Sequence, residues 1–280
     1  MISQGASHTP APARPIKSSM PEIVIVDTPD EGGALLADAF ISLHARKPDA
    51  VLGLATGSTP LPAYRALAER ARELKLDLSR VTGFALDEYV GLPSGHPQSY
   101  RTMIDEEVVA PLGLDPARIH VPSGALGRIH LASEEYERAI EEAGGIDLQI
   151  LGIGTVGHIG FNEPGSSLTS LTRVKTLAHQ TRVDNSRFFG SLDEVPTHAI
   201  TQGLGTILRA QHLVLLAFGE GKARAIAAAV EGPLTSSEPA SVIQLHPHCT
   251  VIVDEAAASQ LQNTDYYRHA WANKLEWQQL

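Results

Sequence analysis

Several short stretches of this chain carry side chains suited to holding an anion or moving a proton. Ala55-Thr56-Gly57-Ser58-Thr59-Pro60 follows the apolar run AVLGL and precedes a segment of helical period. Gly57 permits close backbone approach, the hydroxyls of Thr56, Ser58 and Thr59 can donate, and a helix N-terminus offers free N–H groups at the positive end of its dipole. That combination suits a phosphate. An ordinary capped helix start fits it equally, and the GxxxxGK[ST] spacing of a Walker loop is absent. Gly219-Glu220-Gly221-Lys222 repeats the strand-to-helix placement and puts a cation where the helix dipole disfavours one unless an anion is present. Arg187, in NSRFF, is flanked by aromatic residues, which implies partial burial and an anionic partner for the guanidinium.

The proton carriers lie elsewhere. Asp87 and Glu88 follow the apolar run VTGFAL directly, and alternation turns them to different sides, so one of them reaches a shared pocket. Glu88 also reads as an N-cap partner. In ILGIGTVGHIGFNEP, His158 and Glu163 sit in a tightly turned, glycine-rich loop, a plausible acid and base near neutral pH; a hydrogen-bonded loop histidine is the structural alternative. The GxGxxG spacing within that stretch is not a dinucleotide site. Pro164 and Gly165 arrive where a long helix is needed, and no acidic strand end follows about 20 residues on. No cofactor is expected. His246 and His248 in QLHPH are spaced to share a strand face but lack a third ligand, so no metal is expected.

The elements that must position these residues alternate. EIVIV, AVLGLA, Val81 to Leu86, Asp147 to Leu151, His212 to Ala217 and Thr250 to Val253 read as strands. Between them lie helical segments, among them EGGALLADAFISLHARK, PLPAYRALAERARELK, Ser133 to Glu142, Thr201 to Leu208 and Lys222 to Val230. This rhythm predicts an α/β fold: an open, mostly parallel, Rossmann-like sheet with helices on both faces and ligands beyond the carboxyl ends of the strands. The Pro-, Ser- and Ala-rich residues 1–21 read as a disordered tail, and residues 22–280 as a single domain without repeat or linker. A chain of 280 residues with 43% hydrophobic residues supports a sizeable core. Its net charge of -10, without a basic cluster, argues against nucleic acid and anionic membrane as partners. No apolar run approaches the ~20 residues that cross a bilayer. The single Cys249 reads as a buried hydrophobe in a reducing, cytoplasmic setting.

Taken together, LGLATGSTP, LDEYVGL with HPQSY, GHIGFNEPGSSL, TRVKTL, TRVDNSRFF, GEGKA, AAVEGP and QLHP resemble the glucosamine-6-phosphate deaminases (isomerases). That family shares its fold with 6-phosphogluconolactonases and ribose-5-phosphate isomerases, and the resemblance runs from about Glu22 to Leu261. It implies an enzyme, hydrolase or isomerase in type, that isomerises and deaminates glucosamine 6-phosphate to fructose 6-phosphate and ammonia. Asp87 matches the base that moves a proton between C2 and C1, His158 the group assisting ring opening, and Glu163 its carboxylate partner. The loop of Gly57 and Thr59, with Arg187 and Lys222, matches the sugar-phosphate site. Ser166, Arg173 and Lys175 match residues that bind N-acetylglucosamine 6-phosphate between subunits in allosteric members, which makes a homo-oligomer one expected form.

One residue departs from the pattern. The family usually has Asp before the Gly-His pair, where this chain has Val156. The family's carboxylate belongs to the histidine relay, so its loss removes one of two groups that orient the imidazole and raise its basicity. A slower ring-opening step, isomerisation of another sugar phosphate without ammonia release, and a catalytically weakened sugar-phosphate sensor are the readings this opens. Lactone hydrolysis is disfavoured by the NEP segment and by Asp87.

Overall fold

The computed structural model describes residues 21–275, 278 and 280; except for Pro21, the expected tail lies outside the described residues. The strands in chain order are β1 (Glu22–Val26), β2 (Val51–Leu54), β3 (Thr82–Ala85), β4 (Asp87–Tyr89), β5 (Ile119–His120), β6 (Leu148–Leu151), β7 (Arg173–Thr176), β8 (His198–Thr201), β9 (His212–Ala217) and β10 (Cys249–Asp254). The helices are α1 (Pro29–Arg46), α2 (Leu61–Glu73), α3 (Tyr100–Ile104), α4 (Ala110–Leu112), α5 (Ile129–Glu142), α6 (His179–Asn185), α7 (Leu204–Ile207), α8 (Ala223–Val230), α9 (Glu255–Ala258) and α10 (Thr264–Ala272).

Seven strands form one sheet in the order β1-β10-β9-β6-β2-β3-β5, with every pairing parallel. VLGL, LQIL and HLVLLA are buried at every position. Because successive side chains point to opposite faces, such strands require cover on both, which is why they read as unbroken apolar runs. The order reverses between β2 and β6: β3 and β5 extend the sheet one way, β9 and β10 the other. A parallel sheet opens a crevice at such a reversal, beyond the carboxyl ends of its strands. The Thr56–Thr59 loop follows β2 and the GHIGFNEP loop follows β6, so both flank it.

A second sheet, β4-β8-β7, is antiparallel and was not visible in the sequence. The expectation of a helix over Thr201 to Leu208 is corrected here: β8 runs to Thr201, and only the single turn α7 is helical. Pairing to β4 and β7 holds the segment extended. Gly203 then passes so close to Ser170 that a Cβ would stand 2.1 Å from its carbonyl oxygen. DEY and RVKT are too short and polar to show a strand period. A separate apolar cluster of Tyr89, Phe161, Leu177 and Ala199 glues this small sheet to the GHIGFNEP loop, with Phe161 against Tyr89 and stacked on Tyr100.

Helix α2 is set by its contact with α1. At Gly33 the missing side chain admits the α2 backbone, with the Pro62 carbonyl carbon and Ala63 nitrogen 2.6 and 2.7 Å from where a Cβ would stand. Tyr64, one turn into α2, accepts from the Ala55 amide at 3.1 Å and donates to the Ala55 carbonyl at 2.9 Å. The helix thus pins the start of the loop that precedes it.

Candidate active site

Gly57 lies at φ +90 with open space beside it, and the amides of Gly57, Ser58 and Thr59 donate to no acceptor among the described residues. Thr56 and Thr59 are half-buried, Gly57 and Ser58 exposed. No side chain caps α2; Pro62 has no N–H and the Ala63 and Tyr64 amides bond the Pro60 carbonyl, so of its first turn the Leu61 amide is left without an acceptor among the described residues.

Lys222 reaches from the turn after β9 to the carbonyl of Ile153, in the loop that follows β6, with a 2.7 Å hydrogen bond. Burial, and then the Arg187 guanidinium, hold its ammonium below the usual lysine range, against a smaller opposing pull from Asp184. Arg187 therefore lies near enough to Lys222 for their like charges to repel. Neither forms an ion pair among the described residues. The expected burial of Arg187 is corrected: it is exposed, as is half of Phe188, over whose ring its guanidinium lies at 4.7 Å. It closes a short 3-10 turn after α6 rather than packing into a core.

The two adjacent carboxylates separate as alternation requires. Glu88 turns to the N-terminus of α3, accepting from the amides of Tyr100 and Arg101 at 2.9 Å each and from its neighbour Tyr89 at 2.8 Å. Its capping role is structural. Asp87 turns the other way, opposite Thr201 on β8, toward the Thr201 hydroxyl and the Phe161 amide. It is only 7% exposed. Burial, reinforced by the negative Glu88, pushes its pKa from 3.8 to about 8, against the pull of the Phe161 and Thr201 donors. A carboxyl group with its pKa in that range is suited to proton transfer near neutrality.

His158 lies flat against the chain at Gly154, where a Cβ would stand 2.2 Å from its Nε2; any side chain there would displace the ring. Its Nδ1 is 3.7 Å from Oε2 of Glu163, beyond hydrogen-bond reach, and both atoms are buried without a partner. The other oxygen of Glu163 is held by the Thr181 hydroxyl at 2.6 Å and the Ala178 amide at 3.4 Å, both from the start of α6. Burial holds the imidazole below the usual histidine range, with Glu163 opposing, Lys222 adding to the depression and Asp184 opposing it. The ring is therefore neutral at pH 7 and able to accept a proton.

Thr201, Thr181, Tyr64 and Asp184 belong to this environment and were missed from the sequence. Thr201 and Thr181 carry no local signal, since their role arises from the packing of β8 and α6. Tyr64 was legible only as a helical neighbour of the loop. Val156 is half-buried and belongs to neither apolar cluster.

Ser166 is 2% exposed, with its hydroxyl buried and unpartnered. Arg173 and Lys175 are half-buried at alternate positions of β7, on one face of the small sheet, and one Arg173 nitrogen is likewise buried without a partner. The expectation that His246 and His248 share a strand face is corrected. Both precede β10; His246 bonds the Ala210 carbonyl at 2.8 Å, and His248 stacks on His212 with centroids 3.6 Å apart. Among the described residues no group of three His, Cys, Asp or Glu is placed to hold a metal. Cys249 is buried at 2% exposure.

The class is that of α/β proteins with an open parallel sheet, here with strand-end loops that carry a glycine turn with unpaired amides, a half-buried lysine, a buried acid and a histidine near a carboxylate. The chain belongs to the family of glucosamine-6-phosphate isomerases/6-phosphogluconolactonase, whose model matches residues 29–252. It is 59% identical to a glucosamine-6-phosphate deaminase of Bifidobacterium longum subsp. infantis, over 92% of this chain and 99% of that one. It is 57% identical to that of Streptomyces coelicolor, again over 92% and 99%. Among solved structures it is similar to a monomeric glucosamine-6-phosphate deaminase, 39% identical with a TM-score of 0.83, covering 85% of this chain and 99% of the other. The 6-phosphogluconolactonase of Trypanosoma brucei, 17% identical with a TM-score of 0.70 over 86% and 98%, shares the fold.

Proposed function

We infer that this chain converts glucosamine 6-phosphate and water to fructose 6-phosphate and ammonia. The observation that carries the reading is the 59% identity to a named deaminase over nearly the whole chain; the buried Asp87 and the nearby His158 and Glu163, in loops that follow strands as the Thr56–Thr59 loop does, support it. The phosphate is held by the amides of Gly57 to Thr59, the hydroxyls of Thr56, Ser58 and Thr59, and the cations Lys222 and Arg187. His158, neutral and backed by Glu163, takes the C1 hydroxyl proton and returns it to the ring oxygen, opening the ring. Asp87, ionised, removes the C2 proton to give an enolamine and delivers it to C1. The resulting C2 iminium adds water and expels ammonia, leaving the ketone, which gives an isomerisation its hydrolytic step. Pinning the remote phosphate supplies orientation, with a ceiling of about 7–11 kcal/mol in well-aligned systems. Purified protein incubated with glucosamine 6-phosphate tests this directly: ammonia and fructose 6-phosphate appear in equal amounts. Binding of glucosamine 6-phosphate without turnover, or isomerisation of another sugar phosphate with no ammonia released from glucosamine 6-phosphate, would overturn it.

The phosphate site makes its own prediction. Lys222→Met or Arg187→Met weakens binding of the phosphorylated sugar far more than that of glucosamine, because a charge-assisted contact is worth about 1.5–3 kcal/mol against about 1 for a neutral one. Titration calorimetry with both ligands reads the difference, and equal losses would place the cations elsewhere. Lys222 is the stronger case, being half-buried and bonded to the loop of His158.

Two further readings belong to this proposal. The fold has no helix among the described residues long and apolar enough to cross a membrane, and a metabolic enzyme with one buried thiol works in the cytoplasm. Ser166, Arg173 and Lys175 form an anion pocket at a boundary between subunits of a homo-oligomer; the unpartnered Ser166 hydroxyl and Arg173 nitrogen support it. N-acetylglucosamine 6-phosphate then changes the apparent substrate affinity, and substrate changes the activator's affinity by the same factor. A monomer in solution that ignores this ligand would make the three residues structural contacts only.

A further inference from the structure

The turn formed by residues 235–241 crosses the GHIGFNEP loop and grips it on either side of His158 and Glu163. The Ala240 amide donates to the Gly157 carbonyl at 2.8 Å, and the Gly165 amide donates to the Ser236 carbonyl at 2.7 Å. The turn is itself closed. The Ser241 hydroxyl accepts from the Thr235 amide and donates to the Thr235 carbonyl, both at 3.0 Å, and the Ser241 amide bonds the Glu238 carbonyl at 2.8 Å.

Out of this crossing Glu238 extends toward the residues just ahead of His158. Its Oε1 accepts from Nη1 of Arg224 at 2.5 Å, and Nη2 of the same guanidinium donates to the Thr155 carbonyl at 3.0 Å. Its Oε2 is buried without a hydrogen-bond partner, in the space a side chain at Gly157 would fill, 2.0 Å from where that Cβ would stand. Gly157 is at φ +79. The backbone angle and the carboxylate thus each require glycine there. A carboxylate oxygen left unpaired in a protein interior costs free energy, so its placement calls for a use.

The geometry points to Glu238 and Arg224 as positioning residues that brace the Thr155–Gly157 turn from behind and so aim the His158 imidazole at the substrate. This rests on the deaminase reading of the site. The imidazole needs such a brace because its Nδ1 has no hydrogen-bond partner and the residue two before it is Val156, which offers none. With no polar partner on the ring, its direction is set by the backbone that carries it, by the close contact at Gly154, and by whatever holds that backbone. Neither Glu238 nor Arg224 touches the reacting atoms in this scheme, and neither moves a proton.

The test separates bracing from general stability and from the deaminase reading itself. Glu238→Ala and Arg224→Met are each expected to lower kcat for glucosamine 6-phosphate by about 10–100-fold, the range for groups that orient a functional imidazole, with KM nearly unchanged. The double variant is no slower than either single one, because both act through one contact. Glu238→Gln, which keeps the length and an acceptor for Arg224, recovers most of the rate. The ring resonance of His158, identified by its loss in His158→Gln, moves in Glu238→Ala under conditions where the variant remains folded. Parental kcat in Glu238→Ala, additive losses in the double variant, or an unmoved His158 resonance would overturn the brace while leaving the deaminase reading intact. If Glu238→Ala does not fold, Arg224→Met, which alters a half-exposed side chain, carries the same readouts. Failure of the unmodified protein to release ammonia would overturn the deaminase reading and the brace with it.

Discussion

Asp87→Asn stops exchange of the C2 hydrogen of glucosamine 6-phosphate with solvent while leaving binding of the phosphate ester nearly intact. The amide keeps the shape of the side chain and its contacts with Thr201 and Phe161 but cannot accept a proton. The loss is expected to be at least the ~10²–10⁴-fold contributed by a positioned acid–base group. Mass spectrometry of substrate recovered from deuterated water reads it, and exchange at the parental rate would remove Asp87 from the mechanism. The acid also sets a pH dependence. Its pKa of about 8 means the free enzyme carries a protonated Asp87 at neutrality, so kcat/KM rises with pH and levels off above about 8. The sign for stability is opposite. Between about 4 and 8 the unfolded chain ionises this group while the folded one keeps the proton. The folded state therefore binds more protons, and stability falls as pH rises through that window, by up to about 1.4 kcal/mol per unit. Asp87→Asn removes this slope, so its melting temperature overtakes that of the parent at alkaline pH. Parallel melting profiles would show that Asp87 is not buried as a neutral acid.

Val156→Asp is expected to raise turnover by about 10–100-fold, the worth of a carboxylate that orients a functional imidazole. In this chain Glu163 is committed to Thr181 through one oxygen, and its other oxygen stands 3.7 Å from Nδ1 of His158, too far to bond. Glu163 thus raises the basicity of the ring only through its charge, and the ring lacks a hydrogen-bonded partner that would fix its tautomer. A carboxylate two residues before it supplies one, as the family's usual Asp does at that place. The cost of introducing the charge is small where the valine is half-buried and outside both apolar clusters. Steady-state deamination by parent and variant, with melting temperatures alongside, decides the matter. A parent already as fast as its variant would show that the relay works without the carboxylate. A variant that melts earlier and gains no rate would show that the valine packs against the loop it sits in.

What the sequence determined by itself was whatever is encoded locally. Continuous apolar runs such as HLVLLA announce strands buried on both faces, and their alternation with helical periods announces a parallel sheet. The loops after β2, β3, β6 and β9 therefore had to gather at one edge, and the proposed chemistry is read from the residue types in those loops. Alternation alone separated Asp87 from Glu88, and the structure has Glu88 capping α3, as that reading allowed. Tertiary structure decided what depends on distant partners. The second sheet is made of three short polar or mixed segments whose extended form comes from pairing with one another, so no window of sequence contained it. That sheet buries Asp87 against Thr201, and burial is what moves its pKa; a side chain's type gives its ordinary pKa, and only its surroundings give the shift. Arg187 failed as a burial prediction for the same reason, because neighbouring aromatics in a chain do not say which way a turn faces. The grip of residues 235–241 on the His158 loop joins segments some 80 positions apart, and such contacts are set by how helices and strands pack, which the order of residues along the chain does not display.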